Sequence, residues 1–151
     1  MQIDLRPGCA PDFDYCQRLY FSEMDGIIRE LGLDPAAQAA SFRETWDWTQ
    51  VRVIALDGTD VGWLQSFSQG DALFLGQLFV DASFQRRGIG SQVMRRLIAE
   101  AAKRGLAVTL GVVKTNTALR LYQRLGFAIT HEDERKFYMR RELDAEAPVE
   151  N

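Results

Sequence analysis

Gln85-Arg86-Arg87-Gly88-Ile89-Gly90-Ser91 is the stretch of this sequence whose residue types and spacing can do chemistry. Two glycines where a strand enters a helix let the backbone come close to a ligand, and the first N–H groups of the helix lack acceptors of their own. Together with the positive end of the helix dipole they make a cradle for an anion such as phosphate or pyrophosphate. The spacing departs from both familiar nucleotide loops, with no third glycine of the dinucleotide fingerprint and no Gly-Lys-Ser/Thr ending of a P-loop. Two glycines at such a turn can also serve a tight strand-to-helix connection. Arg86, Arg87, Arg95 and Arg96 form a local basic patch in a chain of formal net charge -3. That balance suits one phosphorylated ligand and argues against a nucleic-acid partner.

Other reactive groups are sparse. Cys9 and Cys16 have no cysteine or histidine companions at ligand spacing, so neither a metal site nor a disulfide framework is indicated. His131 is the only histidine and stands beside Glu132, Asp133 and Glu134, the surroundings of a solvated side chain. Trp46, Trp48 and Trp63 offer faces for a cationic amine, or anchors for a core.

The elements that must position the cradle follow from hydrophobic periodicity. Leu73 to Val80 is a nearly continuous apolar run, the pattern of a strand buried on both faces. Behind the cradle, Val93, Met94, Leu97, Ile98 and Ala101 recur at helical spacing, and Gly105 is placed to stop the helix. Ala107 to Val113 reads as another strand, followed by a helix with Ala118, Leu121, Tyr122 and Leu125 on one face and Gly126 at its end. Upstream, Ile3 to Arg6 reads as a short strand. Asp12 begins an amphipathic segment with Phe13, Cys16, Tyr20, Ile27 and Leu31 inward and a break expected at Met24-Asp25-Gly26. Asp34-Pro35 starts a second helix that runs to about Trp46. Val51 to Leu56 and Val61 to Phe67 are strands joined by a turn over Asp57-Gly58-Thr59-Asp60. Phe127 to His131 and Lys136 to Arg141 form a last hairpin, and the acidic tail from Asp144 is expected to fray. The order is β-αα-βββ-α-β-α-ββ, read as one domain over residues 1–143 with a tail at 144–151. With 151 residues, 46% of them hydrophobic, the chain can bury one sizeable core. It has no run of the ~20 apolar residues a membrane span needs, and its start is not that of a signal peptide, so a cytoplasmic, membrane-free protein is expected.

Two stretches taken together make this chain resemble the GNAT superfamily of N-acetyltransferases. Gln85 to Gly90 matches the family's pyrophosphate-binding motif, Val80-Asp81-Ala82-Ser83-Phe84 matches the segment leading into it, and Asn116 through Phe127 matches its later Asn…Leu-Tyr…Gly-Phe helix. The resemblance is sharpest from about Leu73 to Phe127. It implies an α/β (α+β) GNAT fold with a single mixed, mostly antiparallel sheet flanked by helices. It also implies transfer of the acetyl group of acetyl-CoA, without a metal, to a primary amine; a small-molecule acceptor is expected first, and a polyamine, an amino acid, an aminoglycoside or a peptide lysine would each satisfy this chain. Transfer would be direct, in a ternary complex, by a monomer or homodimer.

By the same resemblance, backbone groups of Leu78, Phe79 and Val80 pair with the pantetheine arm. N–H groups of Arg86, Arg87, Gly88, Ile89, Gly90 and Ser91 hold the pyrophosphate. Tyr122 protonates the departing thiolate, or else only packs on its helix face. Asn116 contacts the coenzyme, caps its helix, or does both; its distance in sequence from Tyr122 is one residue shorter than in many family members. Where the branch that acetylates protein N-termini carries a Glu, five residues before the motif Asn, this chain has Gly111. The strand before the cradle has Phe74, Leu75, Gly76 and Gln77 where other members place a carboxylate. The departure at Gly111 counts against a ribosomal-protein or N-terminal peptide acetylase, and the two together leave Glu23, Asp25, His131 or relayed water as the general base. A non-catalytic acyl-CoA-binding module is the alternative on the same fold, although such a module would have no use for a proton donor at Tyr122.

Overall fold

The structure is a computed structural model and describes residues 2–143; the tail expected from Asp144 lies outside the described residues. Its elements are β1 (Ile3–Pro7), α1 (Phe13–Glu30), α2 (Pro35–Thr45), β2 (Val51–Leu56), β3 (Thr59–Gln69), β4 (Ala72–Val80), α3 (Ile89–Lys103), β5 (Ala107–Val113), α4 (Ala118–Arg124), β6 (Ala128–Glu132) and β7 (Lys136–Arg141). Short 3-10 turns stand at Ala10–Asp12, Trp48–Gln50 and Ala82–Phe84. The helix and strand order is the expected one. The seven strands form one sheet in the order β1-β2-β3-β4-β5-β7-β6. Only β4 and β5 pair in parallel among the pairs of stated register; β1–β2, β2–β3, β5–β7 and β6–β7 are antiparallel, so the sheet is mixed and mostly antiparallel.

Backbone contacts group the chain into two compact units. Among the described residues, one holds 2–65 together with Gln77–Arg87, and the other holds Ser66–Gly76 together with 88–143. The first unit is built on an aromatic core. Cys16, Leu19 and Tyr20 of α1, Phe42 of α2, Val51 and Val53 of β2 and Trp63 of β3 are buried together, with Phe13, Tyr15, Trp46 and Phe79 packed against them. Asp34 starts α2 as its spacing predicts, its Oδ1 accepting from Ala36 N–H at 3.1 Å.

The expected break in α1 does not occur, and the inward residue near its end is Ile28 rather than Ile27. Gly26 sits on the solvent side with no neighbour within 4 Å of where a Cβ would be. It therefore costs only its helix propensity, about 1 kcal/mol. Burial of Cys16, Leu19, Tyr20 and Ile28 outweighs that, and Asp25 pairs with Arg29 at 3.1 Å across the glycine. The turn between β2 and β3 is also tighter than expected. Asp57 and Gly58 alone turn the chain, with φ of 50° and 86°, and Thr59 and Asp60 already belong to β3.

β4 is not buried on both faces throughout. Ala72, Leu73 and Leu75 are buried, Gly76 is exposed, and Gln77 to Val80 are half-buried. Pairing with β5 covers only Ala72–Leu75 against Ala107–Leu110, so the apolar run continues past the end of its parallel ladder. In the second unit, Val93, Met94, Leu97, Ile98 and Ala101 of α3 are all buried, as are Val108, Leu110 and Val112 of β5. Gly126, at φ 95°, ends the α4 turn, and the buried Arg141 Nε donates to the Leu125 carbonyl at 2.8 Å.

Candidate active site

Gly88 precedes α3 in a left-handed conformation, φ 78°. The first helical bond runs from Gln92 N–H to the Gly88 carbonyl at 3.0 Å. The N–H groups of Ile89, Gly90 and Ser91 therefore stand ahead of the helical ladder, with the dipole's positive end among them. Apart from its chain neighbours and the backbone of α3 itself, a Cβ at Gly88 or Gly90 would meet no protein atom within 4 Å. Packing does not require these glycines, although the positive φ favours one at Gly88; the space beside both is open, which is what an anion held by backbone N–H groups needs. Ser91 Oγ is engaged within the helix, accepting from Arg95 Nη1 at 2.7 Å.

The residues leading into the cradle belong to the first unit. Arg86 adopts φ 64° although it is not a glycine, a conformation that costs about 1–2 kcal/mol. The Arg87 guanidinium lies 5.1 Å above the Phe84 ring. Leu78, Phe79 and Val80 form the end of β4, where Phe79 packs on Tyr20 and Trp63, each ring 5.5 Å away. Their backbone is set by close approach. A Cβ on Gly62 of β3 would lie 2.3 Å from the Phe79 carbonyl oxygen, so only glycine admits this path. Beyond it, Asp81 N–H donates to the Val61 carbonyl at 2.7 Å. The Asp81 carboxylate accepts from the Ser83 hydroxyl at 2.6 Å and from Ser83 N–H at 2.9 Å, and these two bonds hold it below the usual carboxylate range. Gly62 has no place among the sequence-derived site residues; the signal for it was an isolated glycine inside a strand pattern.

Tyr122 lies on α4 in the second unit, 9% exposed, with its ring 5.9 Å from that of Phe127. Burial raises its pKa, so the hydroxyl keeps its proton at neutral pH and is in the donor state. Asn116 caps this helix, its Oδ1 accepting from Ala118 N–H at 2.9 Å. Arg120 and Arg124 are exposed.

The three side chains considered as bases have different surroundings. Glu23 of α1 accepts a hydrogen bond from the Gln85 amide, which also donates to the Val80 carbonyl at 2.8 Å. Asp25 is exposed and paired with Arg29. His131 of β6 is exposed, stacks on Tyr138 with ring centres 4.5 Å apart, and has Nδ1 2.9 Å from Thr130 Oγ1. Tyr138 also answers for Gly111: the two are register partners, and the Tyr138 ring would lie 3.3 Å from a Cβ there. Tyr138 Oη donates to Asp133 at 2.8 Å. That bond, with the N–H groups of Arg135 and Lys136, pulls the Asp133 carboxyl down to about 2.

Neither thiol is poised as a nucleophile. Burial pushes Cys16 up to about 12, and the exposed Cys9 donates to Asp12 at 3.3 Å, which raises it as well. Of the three tryptophans, Trp63 is fully buried and Trp46 packs on the aromatic core, whereas Trp48 is exposed. Among the described residues no helix is long and apolar enough to cross a membrane.

Residues 17–127 match the model of the acetyltransferase (GNAT) family, over two thirds of the chain. An uncharacterised N-acetyltransferase of Methanocaldococcus jannaschii is 34% identical over 70 residues, which span 45% of this chain and 31% of that protein. Among solved structures, the PaiA N-acetyltransferase of Thermoplasma acidophilum in complex with coenzyme A superposes with a TM-score of 0.75 at 16% identity, covering 94% of this chain and 99% of that one. An acetyltransferase of Thermus thermophilus gives 0.71 at 19% identity, over 93% and 97% of the two chains. The ribosomal-protein-S18-alanine N-acetyltransferase of Escherichia coli gives 0.60 at 22% identity, over 71% and 77%. At these identities the superpositions establish a shared fold.

Proposed function

This chain belongs to the acetyltransferase (GNAT) family, and we propose that it transfers the acetyl group of acetyl-CoA to a primary amine of a small-molecule acceptor. The observation that carries the coenzyme part is the start of α3, where Gly88 is left-handed and neither Gly88 nor Gly90 has a protein neighbour that a Cβ would touch. These residues fit a pyrophosphate held by backbone N–H groups, with Arg86, Arg87, Ile89 and Ser91 completing the cradle. Leu78, Phe79 and Val80 offer main-chain partners to the pantetheine arm, and Asn116 adds a polar contact beside its capping bond. The coenzyme A complex of an N-acetyltransferase that shares this fold supports the assignment.

When bound, acetyl-CoA supplies an activated acetyl thioester. Formation of the new C–N bond and loss of the C–S bond require one proton to leave the amine and one to reach the departing sulfur. Tyr122 Oη donates the second, since burial keeps it protonated. We assign the first to water, since Glu23 accepts from Gln85, Asp25 is paired with Arg29, His131 is exposed and stacked on Tyr138, and Gly111 provides no carboxylate. Direct transfer fits the two cysteines, neither of which is held as a thiolate.

The test is calorimetric titration with coenzyme A, followed by thiol release from acetyl-CoA across polyamines, amino acids, aminoglycosides and lysine peptides. Binding with amine-dependent thiol release is expected. Binding without release on any amine would leave the chain a coenzyme-binding module, and no binding would remove the reading.

A further inference from the structure

We infer that Gln85 and Glu23 are positioning residues of the coenzyme site, the Gln85 amide tying α1 to the end of β4 and so fixing the backbone that enters the cradle. The inference rests on the coenzyme reading above. The Gln85 side-chain nitrogen has two N–H groups, and both are used: one meets the Glu23 carboxylate and the other the Val80 carbonyl at 2.8 Å. Val80 is the last residue of β4, and Gln85 immediately precedes the left-handed Arg86. A strained residue keeps its conformation only where its flanks are held. The near flank is held in stages: Asp81 N–H on the Val61 carbonyl, the Asp81 carboxylate on Ser83, Gln85 N–H on the Ala82 carbonyl at 3.3 Å, and finally the tether to α1. Without the tether, the 3-10 turn at Ala82–Phe84 ends in an exposed residue with a long backbone bond.

The same geometry gives Glu23 a role other than that of base. An anchor needs only an oxygen that accepts from Gln85, whereas a general base needs a carboxylate that can take a proton. Glu23→Gln separates the two, because glutamine keeps an acceptor oxygen and has no basicity near neutral pH. The experiment compares wild type, Gln85→Ala, Glu23→Ala and Glu23→Gln by calorimetry with coenzyme A and by amide hydrogen exchange of residues 81–87 in the free protein. Gln85→Ala and Glu23→Ala are expected to weaken coenzyme A binding about tenfold, the scale of one lost hydrogen bond to a charged group, and to speed exchange across the segment. Glu23→Gln is expected to restore affinity to within about threefold of wild type, together with the slow exchange. Wild-type binding matched by Gln85→Ala, with exchange unchanged, would overturn the inference. So would a Glu23→Gln protein as impaired in binding as Glu23→Ala. Failure of the wild type itself to bind coenzyme A would instead refute the coenzyme reading.

Discussion

Tyr122 carries the proposed proton transfer, and a single atom tests it. Tyr122→Phe keeps the ring against Phe127 and removes only the hydroxyl. With a verified amine substrate, and with chemistry limiting turnover, the maximal rate should fall about 10²-fold or more while coenzyme affinity stays put. Melting temperature should barely change. A variant at full rate would take Tyr122 out of the mechanism. At this scale the sequence was informative where a residue type has one dominant use: Gly88 in a positive φ, Asn116 as a cap, Tyr122 buried on its helix face. It was silent where the role comes from conformation alone. Nothing in the identity of Arg86 announces a left-handed backbone, and nothing in Gln85 announces that its amide reaches α1, far away in sequence.

Whole elements were legible where one stripe or one alternation is buried, as in α3 and β5, and less so where two effects compete. Gly26 looked like a break in α1 because local propensity is visible in sequence, whereas the burial of Ile28 that overrides it depends on the fold. Gly62 is the reverse case, a glycine inside a strand whose need becomes apparent only when β4 lies beside it. Gly62→Ala would force the Phe79 carbonyl and the Val80 Cα to move, since both are backbone atoms within 3.1 Å of the new methyl. The expected loss is about 1–3 kcal/mol, the scale of overpacking. Each kcal/mol should read as about 2–4 °C in melting temperature. An unchanged melting temperature would show that β4 does not pass so close.

The β6–β7 hairpin offers a pH test at the same scale. Asp133 takes hydrogen bonds from Tyr138 Oη and from the N–H groups of Arg135 and Lys136 across its turn. Its carboxyl is held at about 2, below the ordinary value, so the bonds favour the ionised form in the folded chain. Their contribution is present in full above the unfolded value near 4 and is lost as pH falls through about 2. Carboxyl NMR should show Asp133 titrating near 2, with the Tyr138 ring signals shifting in the same step. A midpoint near 4 would mean that the turn is not pinned in this way.

For the molecule as a whole, the decisive quantity is charge. A formal net charge of -3 repels a polyanionic coenzyme at long range, so in the proposed cradle Arg86 and Arg87 would act locally, against the field of the whole chain. Both are exposed, which places their effect within reach of salt: the screening length is about 10 Å at 0.1 M and about 3 Å at 1 M. Replacing both by Gln removes two charges without changing the backbone preference at Arg86, because glutamine is no more at ease than arginine in a left-handed conformation. Exposed charges contribute about 0.2–1 kcal/mol each, so the double variant should bind coenzyme A about two- to thirtyfold more weakly at low salt. The N–H groups at the start of α3 are untouched and should sustain the remaining affinity. Wild-type affinity should fall with added salt, and the double variant should fall much less, the two converging at high ionic strength. A wild-type affinity indifferent to salt would assign the whole of coenzyme recognition to the backbone and leave the two arginines without a role in it.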